Sequence, residues 1–296
     1  MNASLSIVTP VFNGAKYLED TILSVLNQGY PNLEYIIIDG GSTDGSVDII
    51  RKYEKQLAYW VSEPDTGLYD AIRKGFEKSS GEIMAWINSD DMYHLGAFSI
   101  VSEIFGTFTN IDWVMGIPST YDELGRTIMV DGFKQWCKAK YHSGQYEWIQ
   151  QESVFWRRSL WEKAGSTMDT SLKLAGDFEL WMRFFRHSHL YTLQVLLGGF
   201  RVRSANQLSL ENMDAYRDEV KMVLERELKT LPLDYIEKIN AILSFYREFN
   251  SKKNKVIKSI YFRNNYKRIH QYEEELFSYP PRIEFDRIKQ KFYLQK

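Results

Sequence analysis

The strongest constraint on this chain is an alternation of short apolar runs with helical spacing over its first hundred or so residues. Leu5-Ser6-Ile7-Val8-Thr9 is a β-rich run stopped by Pro10, and Leu33-Glu34-Tyr35-Ile36-Ile37-Ile38-Asp39 is another, stopped by Gly40-Gly41. Between them Leu18, Ile22, Val25 and Leu26 recur at helical spacing, and Val47, Ile50 and Tyr53 do so after the second run. A third strand at Ala58-Tyr59-Trp60-Val61 precedes a helix near 67–79, and a fourth at Glu82 to Asn88 precedes one near 95–106. Strands alternating with helices of this length predict an α/β fold with a parallel sheet and right-handed crossovers.

In such sheets ligands bind beyond the carboxyl ends of the strands. Those ends carry Thr9-Pro10, Asp39-Gly40-Gly41, Glu63-Pro64-Asp65 and Asn88-Ser89-Asp90-Asp91, so three of four bring carboxylates to one rim. No GxGxxG follows the first strand and no GxxxxGK[ST] occurs, which excludes the common dinucleotide and P-loop cradles. In Asp39-Gly40-Gly41-Ser42-Thr43-Asp44-Gly45 the glycines allow close backbone approach, and Asp39 can accept hydrogen bonds from a base imide or a ribose hydroxyl. A purely structural strand-to-helix turn accounts equally well for this loop. Asp90 and Asp91 are adjacent carboxylates that repel one another unless solvated or bound to a cation, and Mg²⁺ or Mn²⁺ shared with substrate phosphates suits them. An Asp-Asp turn capping the next helix is the structural alternative.

The remaining organisation is read more coarsely. The 296 residues are 44% hydrophobic and 26% charged, the balance of a globular chain rather than a disordered one. The single cysteine, Cys137, excludes an internal disulfide and fits a reducing compartment. Residues 1–15 are uncharged but too short and too polar to span a membrane, and Lys16 is the first basic residue, so no secretory leader is expected and the mature chain is expected to start near Met1. After residue 110 the alternation fades; helical patches fall near 159–164 and 176–187, and a strand is expected at 190–202. From Met213 the pattern is helical and charged, broken by Pro280-Pro281.

Seven segments together resemble the inverting glycosyltransferases of family 2, which have the GT-A fold. They are Ser6 to Asn13, Ser24 to Gln28, Ile38 to Ser46, Ser62 to Ala71, Asn88 to Asp91, Gln151 to Arg158 and Ala175 to Arg183, within a span from Leu5 to Ser209. The resemblance implies a Rossmann-like, mostly parallel sheet flanked by helices. A nucleotide-binding half would occupy residues 1–95, an acceptor-side half 96–212, and a basic helical extension 213–296. It implies sugar transfer from a nucleoside diphosphate donor, a UDP-sugar or similar, to a glycan or lipid-linked acceptor in cell-surface polysaccharide assembly on the cytoplasmic side. Thr9 and Pro10 lie in the segment matching the nucleoside site, and Asp39 matches the position on the base. Asp90 and Asp91 match the element that holds ribose and a diphosphate-bound Mn²⁺ or Mg²⁺. Asp70 lies in the motif lining the donor, and Asp177 matches the general base, with Glu152 ranked second and Glu179 as a further rival.

Inverting transfer requires only two aids, charge stabilisation at the departing diphosphate and one carboxylate that takes the acceptor proton. Two departures stand out. Arg73 replaces an Asn usual in relatives and could reach the diphosphate or simply be solvated; Arg203 stands where many relatives place a phosphate-proximal histidine, and its guanidinium could take part of the cation's role.

Other features carry less. His187-x-His189 lacks a nearby third ligand for zinc. The tryptophans are expected to be core packing, with Tyr146, Trp148 and Trp156 the candidates for stacking on sugars. Residues 1–249 carry 25 basic and 34 acidic side chains, net −9, whereas 250–296 carry 12 and 5, net +7. The stretch 252–268 holds seven basic and no acidic residues, a pattern that suits an anionic membrane surface, a solvated face, or pairing with the acidic body or a second subunit in a homo-oligomer. Nucleic acid is not an expected partner of an acidic main domain. The rival activities are a sugar-phosphate nucleotidyltransferase, for which Val11-Phe12-Asn13-Gly14-Ala15 lacks the glycine-rich basic loop, and a non-catalytic nucleotide- or glycan-binding subunit.

Overall fold

The computed structural model describes residues 3–145, 148–204, 212–253 and 255–295. Its first half follows the expected alternation: β1 (Leu5–Val11), α1 (Ala15–Leu26), β2 (Leu33–Asp39), α2 (Ser46–Tyr53), β3 (Tyr59–Ser62), α3 (Leu68–Lys78) and β4 (Ile83–Trp86). Every residue of β1 and β4 is buried, as expected of central parallel strands covered on both faces. Pro10 does not stop β1 as its position suggested. β4 pairs with β1 only as far as Val8, so the proline lies past the end of that ladder and costs no sheet hydrogen bond there.

The second half departs more. After β5 (Met92–Tyr93) and α4 (Ala97–Thr107) come β6 (Trp113–Met115), β7 (Ser119–Tyr121), β8 (Thr127–Val130), α5 (Lys138–His142), β9 (Val154–Arg157), α6 (Arg158–Lys163) and α7 (Gly176–Phe185). The single strand expected at 190–202 is two, β10 (Leu190–Thr192) and β11 (Gly198–Arg201), which belong to different sheets. The main sheet has seven strands in the order β10-β6-β9-β4-β1-β2-β3, with β9 antiparallel to both β4 and β6 and the remaining pairs parallel. A four-stranded sheet, β5-β11-β7-β8, stands beside it.

The tryptophans sit mainly in the core. Trp86 on β4 stacks on Trp181 of α7 at 5.6 Å, and Trp156 of β9 meets both edge-on. Trp156 is fully buried and cannot stack on a sugar, because neighbouring aromatic rings occupy its faces and edges.

The extension is helical through α8 (Met213–Leu228), α9 (Leu233–Ser251) and α10 (Lys255–Leu276), but it ends in a hairpin, β12 (Ile283–Asp286) and β13 (Lys291–Leu294). It is also packed into the body rather than hung from it: Val220, Val223, Ile283 and Phe292 belong to the main core. Among the described residues no helix is long and apolar enough to cross a membrane.

Candidate active site

A cleft of about 1190 Å³ opens beyond the carboxyl ends of β1 and β4. Of the candidate residues, Pro10, Asp90, Asp91, Glu152, Asp177 and Arg203 line it, together with Lys16, Glu123, Trp148 and Tyr216. Thr9, Asp39, Asp70 and Arg73 do not. Thr9 is buried against the Tyr35 hydroxyl at 3.1 Å. Asp39 is fully buried, and its carboxylate accepts the Gly41 and Ser42 N–H groups and the Ser42 and Ser62 hydroxyls, so its acceptors serve its own loop. Asp70 sits in the first turn of α3, where it accepts from Thr66 N–H and pairs with Arg73 at 2.7 Å. Burial works against its charge, but the Arg73 and Thr66 hydrogen bonds prevail and hold the carboxyl below its ordinary range.

The paired aspartates divide their roles. Asp91 is buried, and its Oδ1 accepts the Arg201 backbone N–H at 2.7 Å while its Oδ2 accepts Asn88 Nδ2 at 3.1 Å. Burial, with Asp90 and Glu152 beside it, raises its pKa well above the carboxylate range. Asp90 instead faces the cleft, 3.0 Å from Arg203 Nε. Burial raises its pKa too, against the pull of Arg203. Beneath both lies Arg201, whose side chain is buried. Its guanidinium donates to the Asp90 carbonyl at 2.6 Å, the Glu123 carbonyl at 3.1 Å and the Asp20 carboxylate at 3.0 Å. Glu123 in turn accepts from Lys16, Tyr17 and both the N–H and hydroxyl of Ser204, which hold its carboxyl far below the ordinary range.

On the acceptor side, Glu152 lies in a 3₁₀ turn at Gln151–Ser153, tightly backed by β11. A Cβ on Gly198 would fall 1.9 Å from the Glu152 carbonyl oxygen, so only glycine permits that approach. Burial pushes Glu152 up to about 7. Asp177 stands in the first turn of α7, pushed up to about 6 by the packing around its carboxyl, against one hydrogen bond from Phe178 N–H at 2.7 Å. Gly176 before it packs face-on to Tyr69, where an added Cβ would come within 2.7 Å of the ring. Glu179 is withdrawn from contention, since Arg183 Nε holds both its oxygens at 2.9 and 3.0 Å.

The comparisons with known proteins bear on this geometry. The family model described as Glycosyl transferase family 2 matches residues 6–163, more than half of the chain. The chain belongs to glycosyl transferase family 2. A glycosyltransferase of Rickettsia prowazekii is 27% identical to this family 2 chain over 222 residues, covering 72% of it and 69% of the relative. A putative teichuronic acid biosynthesis glycosyltransferase of Bacillus subtilis, TuaG, is 39% identical over 92 residues, 30% of this chain and 36% of the relative. Among solved structures, S. aureus TarS 1–349 in complex with UDP-GlcNAc superposes with a TM-score of 0.67 at 18% identity, covering 91% of this chain and 81% of that one. The TarS complex with UDP gives 0.64 at 16% identity, over 99% and 96%. The fold is of the GT-A type.

Several site residues of this family 2 chain lay beyond sequence reasoning. Arg201 and Glu123 act through partners more than a hundred residues away or through backbone carbonyls, which no local pattern records. The same is true of Glu219 on α8, whose carboxylate accepts the N–H groups of Lys173, Leu174 and Ala175, each at 2.9 Å. Trp148, 44% exposed, lines the cleft beside Tyr216 at 5.6 Å, whereas Tyr146 lies outside the described residues. His187 and His189 are both exposed, and among the described residues no group of three His, Cys, Asp or Glu is placed to hold a metal. A divalent cation fits as a shared ligand: the Asp90-Asp91 pair lines the cleft, and a bound diphosphate would complete the sphere, an arrangement Mg²⁺ accepts. Asp91, the other expected metal ligand, lines the same cleft, and its Oδ1 and Oδ2 each accept one hydrogen bond, from Arg201 N–H and from Asn88 Nδ2.

Proposed function

We propose that this chain is an inverting transferase that moves a sugar from a nucleoside diphosphate donor to a hydroxyl of a glycan or lipid-linked acceptor, in cell-surface polysaccharide assembly on the cytoplasmic side. The observation that carries this reading is one cleft holding both Asp177, a carboxyl raised to about 6, and the Asp90–Arg203 pair. The donor class is supported by the TarS complexes with UDP-GlcNAc and UDP, and the pathway class by the name of the TuaG relative.

In this mechanism the acceptor O–H gives its proton to Asp177 as its oxygen forms a bond to the anomeric carbon. The bond from that carbon to the diphosphate oxygen breaks, and its electron pair leaves with the diphosphate. A carboxylate near 6 is deprotonated at neutral pH yet basic enough to accept a proton in the transition state, a contribution of roughly 10²–10⁴-fold. Arg203 can bind the departing diphosphate through two parallel N–H donors. Mn²⁺ or Mg²⁺, held by Asp90 and the diphosphate oxygens, would supply further stabilisation of the leaving charge. Asp91 and Arg201 keep Asp90 at the floor of the cleft.

A thermal-shift panel of nucleoside diphosphates and their sugars, with and without Mn²⁺, tests the donor. Selective stabilisation by one nucleotide, strengthened by the cation, is expected; no response to any of them would reject the reading. Transfer assays on the responding donor then separate catalysis from silent binding.

A further inference from the structure

The basic stretch 252–268 was open to three readings, and the structure removes one of them. Although residues 1–249 are net acidic, Lys253, Lys255, Arg263, Lys267 and Arg268 form no ion pair with any described residue. Among the described residues Lys252 alone of the stretch pairs with an acid, Glu248 near the end of α9. Among the described residues those five cations are therefore not spent on the acidic groups of the body, while Lys252 and Lys258 sit over the Tyr261 and Phe249 rings.

The packing of α10 shows which way they face. Its inner side, Tyr261, Phe262, Ile269 and Tyr272, closes on Phe245 and Ile242 of α9. At about 100° per residue, Val256, Ile260, Arg263 and Lys267 fall within about 60° of one another on the opposite side, with Ile257 and Arg268 flanking them. Val256, Ile257 and Ile260 are 67%, 54% and 50% exposed. Acidic residues begin only at Glu273, so the apolar and basic surface is confined to the end of the hairpin where α9 meets α10. Three large aliphatic side chains in water are unfavourable, and adjacent lysines and arginines make the same face attractive to anionic headgroups.

We propose that the outer face of α10, over residues 256–268, docks on an anionic lipid surface, with Val256, Ile257 and Ile260 entering the interface and Arg263, Lys267 and the flanking Arg268 meeting the headgroups. This brings a lipid-linked acceptor and the enzyme to one plane, but it does not depend on the assignment of Asp177. The test is cosedimentation of the full chain with vesicles of phosphatidylcholine alone and of equimolar phosphatidylcholine and phosphatidylglycerol. Binding to the anionic vesicles only, weakened by high salt, is expected. Arg263→Gln/Lys267→Gln/Arg268→Gln should lower partitioning about 100-fold, and Ile257→Ser/Ile260→Ser should lower it with the charges intact. Far-UV circular dichroism checks that both variants keep the fold. Equal binding by the wild type and the triple variant, or no binding to anionic vesicles, overturns the proposal. So does self-association of the wild type that the triple variant loses in the absence of lipid binding, which would assign the face to a second copy.

Discussion

Glu219 holds the segment that delivers Asp177: its carboxylate on α8 takes the three consecutive backbone N–H groups of residues 173–175, immediately before the turn that carries Asp177. Tyr69 secures the same segment from the other side, donating its hydroxyl to the Leu174 carbonyl at 2.9 Å. A residue of the C-terminal extension thus sets the position of a side chain in the cleft. The negative charge of Glu219 also adds to the burial that raises Asp177.

Glu219→Ala should therefore lower kcat more than it raises the donor KM. Of the three N–H donors, Ala175 is buried and Leu174 half-buried, and leaving a buried N–H without an acceptor costs roughly 1–3 kcal/mol, so a loss of about 2 kcal/mol in chemical denaturation accompanies it. Destabilisation with kcat unchanged would show that the contact supports the fold and not the reaction.

Asp177→Asn should keep donor affinity and reduce transfer by roughly 10²–10⁴-fold. In the native chain kcat/KM should fall as pH drops through about 6, because protonation at that pH removes the base. Glu179→Gln, which breaks the Arg183 pair, should instead cost stability and leave this acid limb in place.

Arg203→Ala should weaken donor binding by about tenfold or more, through loss of a charge-assisted bond worth roughly 1.5–3 kcal/mol. It should also strengthen binding of Mn²⁺ alone, since Asp90 loses its competing guanidinium. Isothermal titration measures both, and unchanged donor affinity would remove Arg203 from the diphosphate site.

Gly198→Ala should destabilise the chain by about 3 kcal/mol or more, the upper end of overpacking. The added methyl would meet a backbone carbonyl, which has no rotamer through which to escape. A melting temperature close to that of the native chain would contradict the close approach of β11 to Glu152.

Stability of the metal-free protein should fall as pH rises from about 4 to 7. Glu152 is held near 7 when folded, above an unfolded carboxyl, so its stabilising protonation is complete below the unfolded pKa and is lost as pH rises through 7. Burial raises Asp177 in the same sense. Glu152→Gln should flatten the slope in denaturation curves across this range.

How much of this was legible depends on how local the signal is. The boundaries of β2 and the presence of α1 and α3 were readable because a strand buried on both faces and an amphipathic helix each write their burial into consecutive residues. The antiparallel placement of β9 was not, since Val154 to Arg157 carries no mark of which strands will flank it. Nor was the parting of β10 from β11, where a chain that looks continuous in hydrophobicity changes sheets. In the site, the Asp90-Asp91 pair was visible, but the backbone N–H that Asp91 accepts comes from Arg201, 110 residues beyond it.

The order of strands and helices in the first half, the acidic rim at their ends and the uneven charge of the two ends were determined by the sequence alone, because each is a property of neighbours along the chain. Tertiary structure decided that Asp91 is the more buried of the pair lining the cleft and Asp90 the more open, that Asp39 serves its own loop, and that Glu219 reaches back to the Asp177 turn. Those outcomes depend on which distant donors meet each carboxylate and on how much water packing removes from it, and neither is written in the spacing of residues.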